Sequence, residues 1–286
     1  MAKQIIHMSG ITLEENASET FTLPDLPISK VIIKKKGAPT GTTYNANTYI
    51  KSVKVKLNGR EFEDWSGDVW NSGSVPSGIG ALREFQRANE QLEPTSERIV
   101  LDFPDALPAN LPKTITIQAN DFSHMGDTIT AKGTVTFEIA YEIEDLLPNR
   151  VVVRKVHWNK RAIGAKPSDS FYLEGTDNGF ACASIAWFIT DGDGTTQDNA
   201  ITAAIGANID IEIYHGSDQI FSGTWADLIA DHSSKAGIAP NGGWAILPME
   251  LRKFNPNQVR VLVRNNGYAT YNEINLYYYM LQLAEV

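Results

Sequence analysis

The residues of this chain best suited to metal or proton chemistry are five histidines, His7, His124, His157, His215 and His232, and they are scattered along its length. No two stand at the i, i+4 spacing that sets a pair of imidazoles on one helical face, so a zinc-hydrolase centre is not expected. Asp102, Glu138, Glu142, Asp210 and Glu212 fall in alternating stretches. Two such carboxylates facing one cleft could work as general acid and base; the ordinary alternative for Asp and Glu is a solvated strand face. Asp191, Asp193 and Asp198 crowd one glycine-rich loop and suggest a hard cation such as calcium. The spacing lacks the third ligand before the glycine and the twelfth-position Glu of an EF-hand, and turn chemistry accounts for the same residues. Cys182 is the single cysteine and lies in the apolar run 180–189, so a buried, inert thiol is expected and no internal disulfide can form. No Gly-x-Ser-x-Gly elbow, phosphate-binding Gly-x-x-x-x-Gly-Lys loop or dinucleotide fingerprint is present. No catalytic, cofactor-binding or metal-binding residue is assigned, and an enzyme is not expected.

Two basic clusters remain, Lys34-Lys35-Lys36 and the group Arg150, Arg154, Lys155, Lys160 and Arg161. Either could face an anionic surface such as phospholipid headgroups; the plainer reading is a solvated strand end and a linker. Net charge is −9, which argues against direct nucleic-acid binding, since neutralising phosphates needs an excess of Lys and Arg. Tyr277, Tyr278 and Tyr279 must alternate across a strand, so both core and partner contacts are expected of them. The first residues lack the apolar core of a signal peptide, and no stretch reaches the ~18 apolar residues of a membrane helix. The expectation is a chain made soluble in a reducing cytoplasm.

Strands are the elements that must position these groups. Val53, Val55 and Leu57 alternate with polar residues and run into a turn at Gly59; Ile209, Ile211 and Ile213 do the same before Gly216. Period-two alternation puts one set of side chains on one face of a sheet, so each reads as a half-buried strand entering a hairpin. Further strands are expected at 20–23, 28–34, 98–103, 114–118 and 133–143, with prolines 104, 108 and 112 excluding a helix between the later ones. One helix is expected from Ile79 to Gln91, where Ile79, Leu82 and Phe85 recur at i, i+3 and i+6 and Ser77 could serve as cap.

The second half repeats the first in order. Residues 170–173 stand for 20–23, 184–189 for the strand ending at Ile33, 209–228 for 51–70, 244–251 for 99–103, 259–265 for 114–120, and 271–283 for 133–143. Six matched elements in one order argue for duplication. With 286 residues two domains are the default expectation. Long antiparallel strands with proline-containing connections suit jelly rolls. The expected architecture is mainly β: two tandem jelly-roll sandwiches with a short helix in the first, divided as an N-terminal arm or edge element at 1–18, a first sandwich at 19–147 and a second at 148–286. The segments around Phe62, Trp65 and Trp70, and around Phe221, Trp225 and Leu228, are the expected places of contact between jelly rolls.

The segment Ile50-Lys-Ser-Val-Lys-Val-Lys-Leu-Asn-Gly-Arg60, the order of elements after it and the total length resemble the double-jelly-roll major capsid proteins of tailless, internal-membrane-containing icosahedral bacteriophages of the corticovirus type. That resemblance implies a homotrimer whose six sandwiches form a pseudo-hexagonal capsomer. Its implied partners are neighbouring capsomers, penton and minor coat proteins and an internal lipid membrane, and its implied place is the virion after assembly in the host cytoplasm. The weak periodicity of residues 1–18 suggests in addition that they order only on assembly. The alternatives are a two-domain jelly-roll carbohydrate-binding protein, a phage spike or minor coat protein, and a double-jelly-roll amide hydrolase, which would need acidic residues converging between the domains.

Overall fold

A computed structural model describes residues 4–7, 10–37, 49–66, 79–82, 84–85, 98–120, 134–144, 152–164, 168–174, 181–192, 198–201, 206–236, 244–253, 255–266 and 273–285. In the first half the strands are β1 (Gln4–His7), β2 (Ile11–Glu14), β3 (Ser18–Thr22), β4 (Ile28–Gly37), β5 (Ile50–Leu57), β6 (Arg60–Trp65), β7 (Arg98–Leu107), β8 (Lys113–Ala119) and β9 (Thr134–Ile143). One antiparallel sheet runs β1-β9-β4-β7, with β2 also on β9; the other runs β3-β8-β5-β6. Alternation decides which side chains enter the space between them. Val53, Val55, Ile115 and Ile117 from one sheet meet Val31, Ile33, Leu101 and Phe137 from the other in a single buried cluster. The β5–β6 hairpin turns through Asn58 and Gly59, both at positive φ (50° and 75°), the backbone of a two-residue turn whose twist matches the strands.

The second half contains β10 (Val152–Gly164), β11 (Ser168–Tyr172), β12 (Ala181–Gly192), β13 (Asp198–Ala200), β14 (Ile209–His215), β15 (Asp218–Thr224), helix α1 (Trp225–Ala236), β16 (Trp244–Lys253), β17 (Val259–Asn265) and β18 (Glu273–Glu285). Its sheets run β10-β18-β12, with β13 and β16 both on β12, and β11-β17-β14-β15. Apart from β13, which has no counterpart among the described strands of the first half, this is the order of the first half, with β10 in the place that β1 and β2 share. Local irregularities repeat as well. The pairing of β4 slips between Ile28 and Lys30 against both neighbours, and that of β12 slips between Cys182 and Ser184 against both of its own. An extra residue at the same place in each half is a mark of common construction. It aligns Lys30 with Ser184 and so fixes every row beyond it.

Two expectations hold over their described residues, and one needs correction. Residues 4–7 and 11–14, set apart as an arm or edge element at 1–18, are edge strands paired with β9, and Ile11 and Leu13 are buried in the first core. Their short apolar alternation is too brief to show a period but long enough to add to an edge. Among the described residues of the expected helix, 79–82 and 84–85 are helical, with Ile79, Leu82 and Phe85 buried as the spacing predicts; Ser77 and 86–91 lie outside the described residues. A longer helix, α1, stands in the second sandwich, where only a strand and turn were expected. The signal was present: Thr224 and Asp227 form a reciprocal cap, the Asp227 N–H donating to Thr224 Oγ1 (3.1 Å) and the Thr224 N–H to Asp227 Oδ2 (2.8 Å). Trp225, Leu228 and His232 follow at helical spacing and are buried. The last strand of the first pair of sheets ends at Ile143 and the first strand of the second pair begins at Val152, and residues 145–151 lie outside the described residues.

Candidate functional site: the joint between the sandwiches

The sheet containing β18 is buried on both faces. Tyr278, Met280 and Leu276 enter the core of the second sandwich, whereas Tyr277, Tyr279 and Leu281 enter the cluster of the first. β12 divides in the same way, with Ile185, Trp187 and Ile189 inward and Ala186 and Phe188 toward the first sandwich; Trp244 and Ile246 of β16 join the latter. An aromatic layer results. The rings of Phe188 and Trp244 lie 4.8 Å apart, those of Trp244 and Tyr279 5.9 Å, and those of Tyr279 and Trp158 6.0 Å. Such contacts add to the burial of large side chains and fix their geometry. One hydrophobic core therefore runs from the first sandwich through the joint.

The joint has a polar clasp where β10 crosses β6 and β7. Arg154 Nε donates to Glu63 Oε1 (2.7 Å) and Nη2 to Glu63 Oε2 (3.1 Å), and Trp65 Nε1 also donates to Glu63 Oε2 (2.7 Å). Both charged side chains are nearly removed from water, at 10% and 2% exposure. The Arg154 guanidinium lies 5.5 Å over the Trp65 ring. Trp158 Nε1 donates to Ser66 Oγ (3.0 Å), and the Val152 N–H to Asp105 Oδ2 (2.6 Å). Beside the clasp is a small apolar crevice lined by Val55, Leu57, Phe62, Phe103, Leu107 and Val152.

The basic cluster that could have faced lipid is thereby largely committed within the chain. Arg154 serves the clasp, Lys160 lies 5.2 Å over the Tyr277 ring, and Arg161 pairs with Asp169 (3.2 Å). Burial pushes the Lys155 ammonium below its ordinary pKa, with nearby Glu61 opposing that shift. Arg150 lies outside the described residues. In the other cluster Lys34 is exposed, Lys35 lies 5.6 Å over the Tyr49 ring and Lys36 pairs with Glu138 at 2.5 Å.

The candidate carboxylates do not converge. Asp102, Glu138 and Glu142 lie on the outer face of the first sandwich, where Lys30 approaches Asp102 at 3.8 Å and the Ser29 hydroxyl donates to Glu142 (3.4 Å). Asp210 and Glu212 lie on β14 of the second, the former accepting from Asn266 Nδ2 and the latter from Arg264 Nη1 (2.6 Å). The Tyr214 hydroxyl, and after it Arg264, hold the Glu212 carboxyl below the usual range. At the joint itself Glu63 and Asp105 are each satisfied by a donor as described, and Glu61 lies near the Lys155 ammonium. Asp191 and Asp198 sit in the paired ends of β12 and β13, while Asp193 lies outside the described residues. Cys182 is buried, and burial pushes its thiol far above the ordinary value. Burial likewise raises the Tyr278 hydroxyl to about 12 while it accepts the Glu174 N–H (2.8 Å).

Expectations for the tryptophan segments divide. Trp65 and Trp225 are both buried within their own sandwiches, Trp225 Nε1 donating to Ile201 O (2.7 Å). Only the first segment also reaches the other sandwich, through Glu63 and Ser66. Phe221 and Leu228 pack in the second core, and Trp70 lies outside the described residues. Glu63 and Arg154 were not singled out as a pair, since nothing in sequence links charges that far apart.

Two tandem sandwiches of this strand order, joined face to edge by a continuous apolar core, are the fold of the double-jelly-roll viral major capsid proteins. The crystal structure of the STIV major capsid protein superposes with a TM-score of 0.71 at 12% identity, covering 99% of this chain and 97% of that one. A chain in the atomic structure of Sulfolobus Turreted Icosahedral Virus gives 0.70 at 12% identity, covering 99% of this chain and 90% of that one. The major capsid protein P2 from bacteriophage PM2 gives 0.62 at 12% identity, covering 99% and 98%. No family model and no curated protein matches the sequence.

Proposed function

We propose that the chain is the major capsid protein of an icosahedral virus, acting as a structural protein with no catalytic role. Three copies would supply six sandwiches to a pseudo-hexagonal capsomer that packs against neighbouring capsomers and penton or minor coat proteins. The observation that carries this reading is the aromatic joint. A single chain holds two equivalent sandwiches in a fixed relation through a continuous core, which is what a unit needs if three chains are to offer six similar faces to their neighbours. The lack of convergence among the described carboxylates favours this reading over a hydrolase. A shell over an internal membrane belongs to the same proposal, although Arg154, Lys160 and Arg161 are engaged elsewhere, so lipid contact would fall to other residues. Light scattering on the purified protein tests the reading: a particle of about 95 kDa, three chains of 31.5 kDa, is expected. A monomer at every concentration and salt, with no capsomer-like particles by electron microscopy, would overturn it.

A further inference from the structure

The two sandwiches differ on one solvent-facing surface. Alternation turns Tyr172 of β11, Arg260 of β17, Tyr214 of β14 and Gln219 of β15 to the outside of the second sandwich, and register sets the four side by side in one row across the sheet. The matching row of the first sandwich can be located, because the Leu23 N–H donates to Lys113 O as the Leu173 N–H donates to Val259 O. Counted from those two bonds, it is Thr22, Thr114, Lys56 and Glu61. Two hydroxyls and a pair of opposite charges stand in one copy where two phenol rings, a guanidinium and an amide stand in the other. Neither row enters a core, so packing does not account for the difference.

The row of the second sandwich is a platform with one uncommitted charge. Tyr172 is 57% exposed, a large ring left toward solvent directly opposite Arg260 on the neighbouring strand. The exposed Arg260 guanidinium lies 4.6 Å over the Tyr214 ring, and cation–π attraction holds it there. Tyr214 is fixed in turn at its hydroxyl, which donates to Glu212 and accepts from Gln219 Nε2 (3.0 Å). Glu212 feels the charge of Arg260, but its carboxylate takes its hydrogen bonds from Tyr214 and from Arg264 Nη1 (2.6 Å). No carboxylate among the described residues hydrogen-bonds Arg260 itself. A guanidinium preorganised over a ring, with its N–H groups unspent, suits a carboxylate from outside, which it can hold by two parallel charge-assisted bonds. Beside the row, Ser170 and Ser222 present exposed hydroxyls on β11 and β15.

We propose that this face binds the uronic-acid chain of an acidic polysaccharide, with one sugar ring laid on Tyr172 and a carboxylate held by Arg260. The C–H face of a pyranose packs against the negative face of an aromatic ring, and its hydroxyls need small polar partners such as Ser170, Ser222 and Gln219. Tyr172 and Tyr214 stand two strand spacings apart, about 10 Å, with Arg260 between them, a flat footprint long enough for a disaccharide. Other polyanions fit less well. A nucleic-acid backbone needs several free cations in line, and the row offers one. An acidic peptide docks by pairing with a sheet edge or by sinking several apolar anchors; β17 and β14 are central strands whose backbone groups are spent in the ladder, and Tyr172 is the one strongly exposed ring. The site is complete on a single chain and does not depend on the capsomer reading, although a shell of many copies would strengthen a weak single site by avidity.

The test is calorimetric titration of the full chain with three tetramers: tetragalacturonate; its methyl ester, which keeps the rings and removes the charge; and tetraglutamate, which keeps the charge and removes the rings. The first should bind with a dissociation constant of about 1 mM, and each of the others at least about ten-fold more weakly. Tetramannuronate is titrated in parallel, so that one sugar configuration does not decide the outcome. Tyr172→Ala and Arg260→Gln should each weaken uronate binding at least about ten-fold. Lys56→Gln, the same loss of charge on the matching row of the first sandwich, should leave it unchanged. All three positions are exposed, and an unchanged circular dichroism melt will show that each variant folds. The assignment is overturned if neither uronate binds more tightly than about 10 mM, if the Tyr172 and Arg260 variants bind like wild type, or if Lys56→Gln weakens binding as much as Arg260→Gln. Equal binding by the ester removes the role of Arg260, and equal binding by tetraglutamate replaces the saccharide by an acidic peptide; either result also overturns it.

Discussion

Replacing Arg154 by Met should destabilise the chain by about 3 kcal/mol, although the residue lies at no catalytic centre. The reasoning is local. Glu63 has only 2% of its side chain exposed and accepts hydrogen bonds from Arg154 and Trp65. Removing the guanidinium leaves a buried carboxylate with one neutral donor, and breaking such a pair from one side costs about 3–5 kcal/mol. Methionine keeps part of the packing over Trp65, which sets the expectation at the lower end. Adding Glu63→Gln should restore most of the loss, to within about 1 kcal/mol of wild type, because no buried charge remains and the amide oxygen can still accept from Trp65 Nε1. The assay is urea unfolding at fixed protein concentration, followed by tryptophan fluorescence, with Trp65 and Trp158 beside the clasp. Both single variants and the double variant complete the cycle. Because one core runs through the joint, wild type should unfold in a single transition. An Arg154→Met variant within about 0.5 kcal/mol of wild type would refute the account of the clasp, since a partly exposed surface pair is worth no more than that.

Two further outcomes follow from neighbouring features. Tyr279→Ala removes a fully buried ring that contacts Trp158 and Trp244, and should cost about 3–5 kcal/mol; a separate early transition for the second sandwich is expected if the joint opens first. Thr224→Ala removes the cap of α1 and should cost about 0.5–2 kcal/mol by the same assay. The Thr224 N–H and hydroxyl hold the Asp227 carboxyl below its ordinary value. That contribution is present above the unfolded carboxyl pKa of about 3.9 and is lost as pH falls through the lower folded value. The alanine variant keeps the Thr224 N–H bond to Asp227, so it should lose only the hydroxyl's share of this acid-side dependence and retain the rest; a variant that loses all of it would count against the cap.

The order of strands was legible from alternation because each strand has one wet face and one dry face, and that demand is written every second residue. Val53, Val55 and Leu57, and their counterparts from Ile209 to Ile213, could scarcely be placed otherwise, and the repeat of that pattern in order disclosed two sandwiches before any contact was known. Helix α1 was also legible in principle, through the reciprocal cap of Thr224 and Asp227, but the repeat with the first half drew attention to a strand and turn instead. Alternation also announced that Tyr277 and Tyr279 would face away from Tyr278. It could not say toward what. Whether an aromatic face is covered by the same chain, by another copy or by nothing depends on how two sheets dock, and docking leaves no period in sequence. The pairing of Glu63 with Arg154 is of the same kind: two charges 91 residues apart become partners only because β10 crosses β6. Sequence by itself determined the two sandwiches. Tertiary structure alone decided which face of the second sandwich is sealed against the first within the chain.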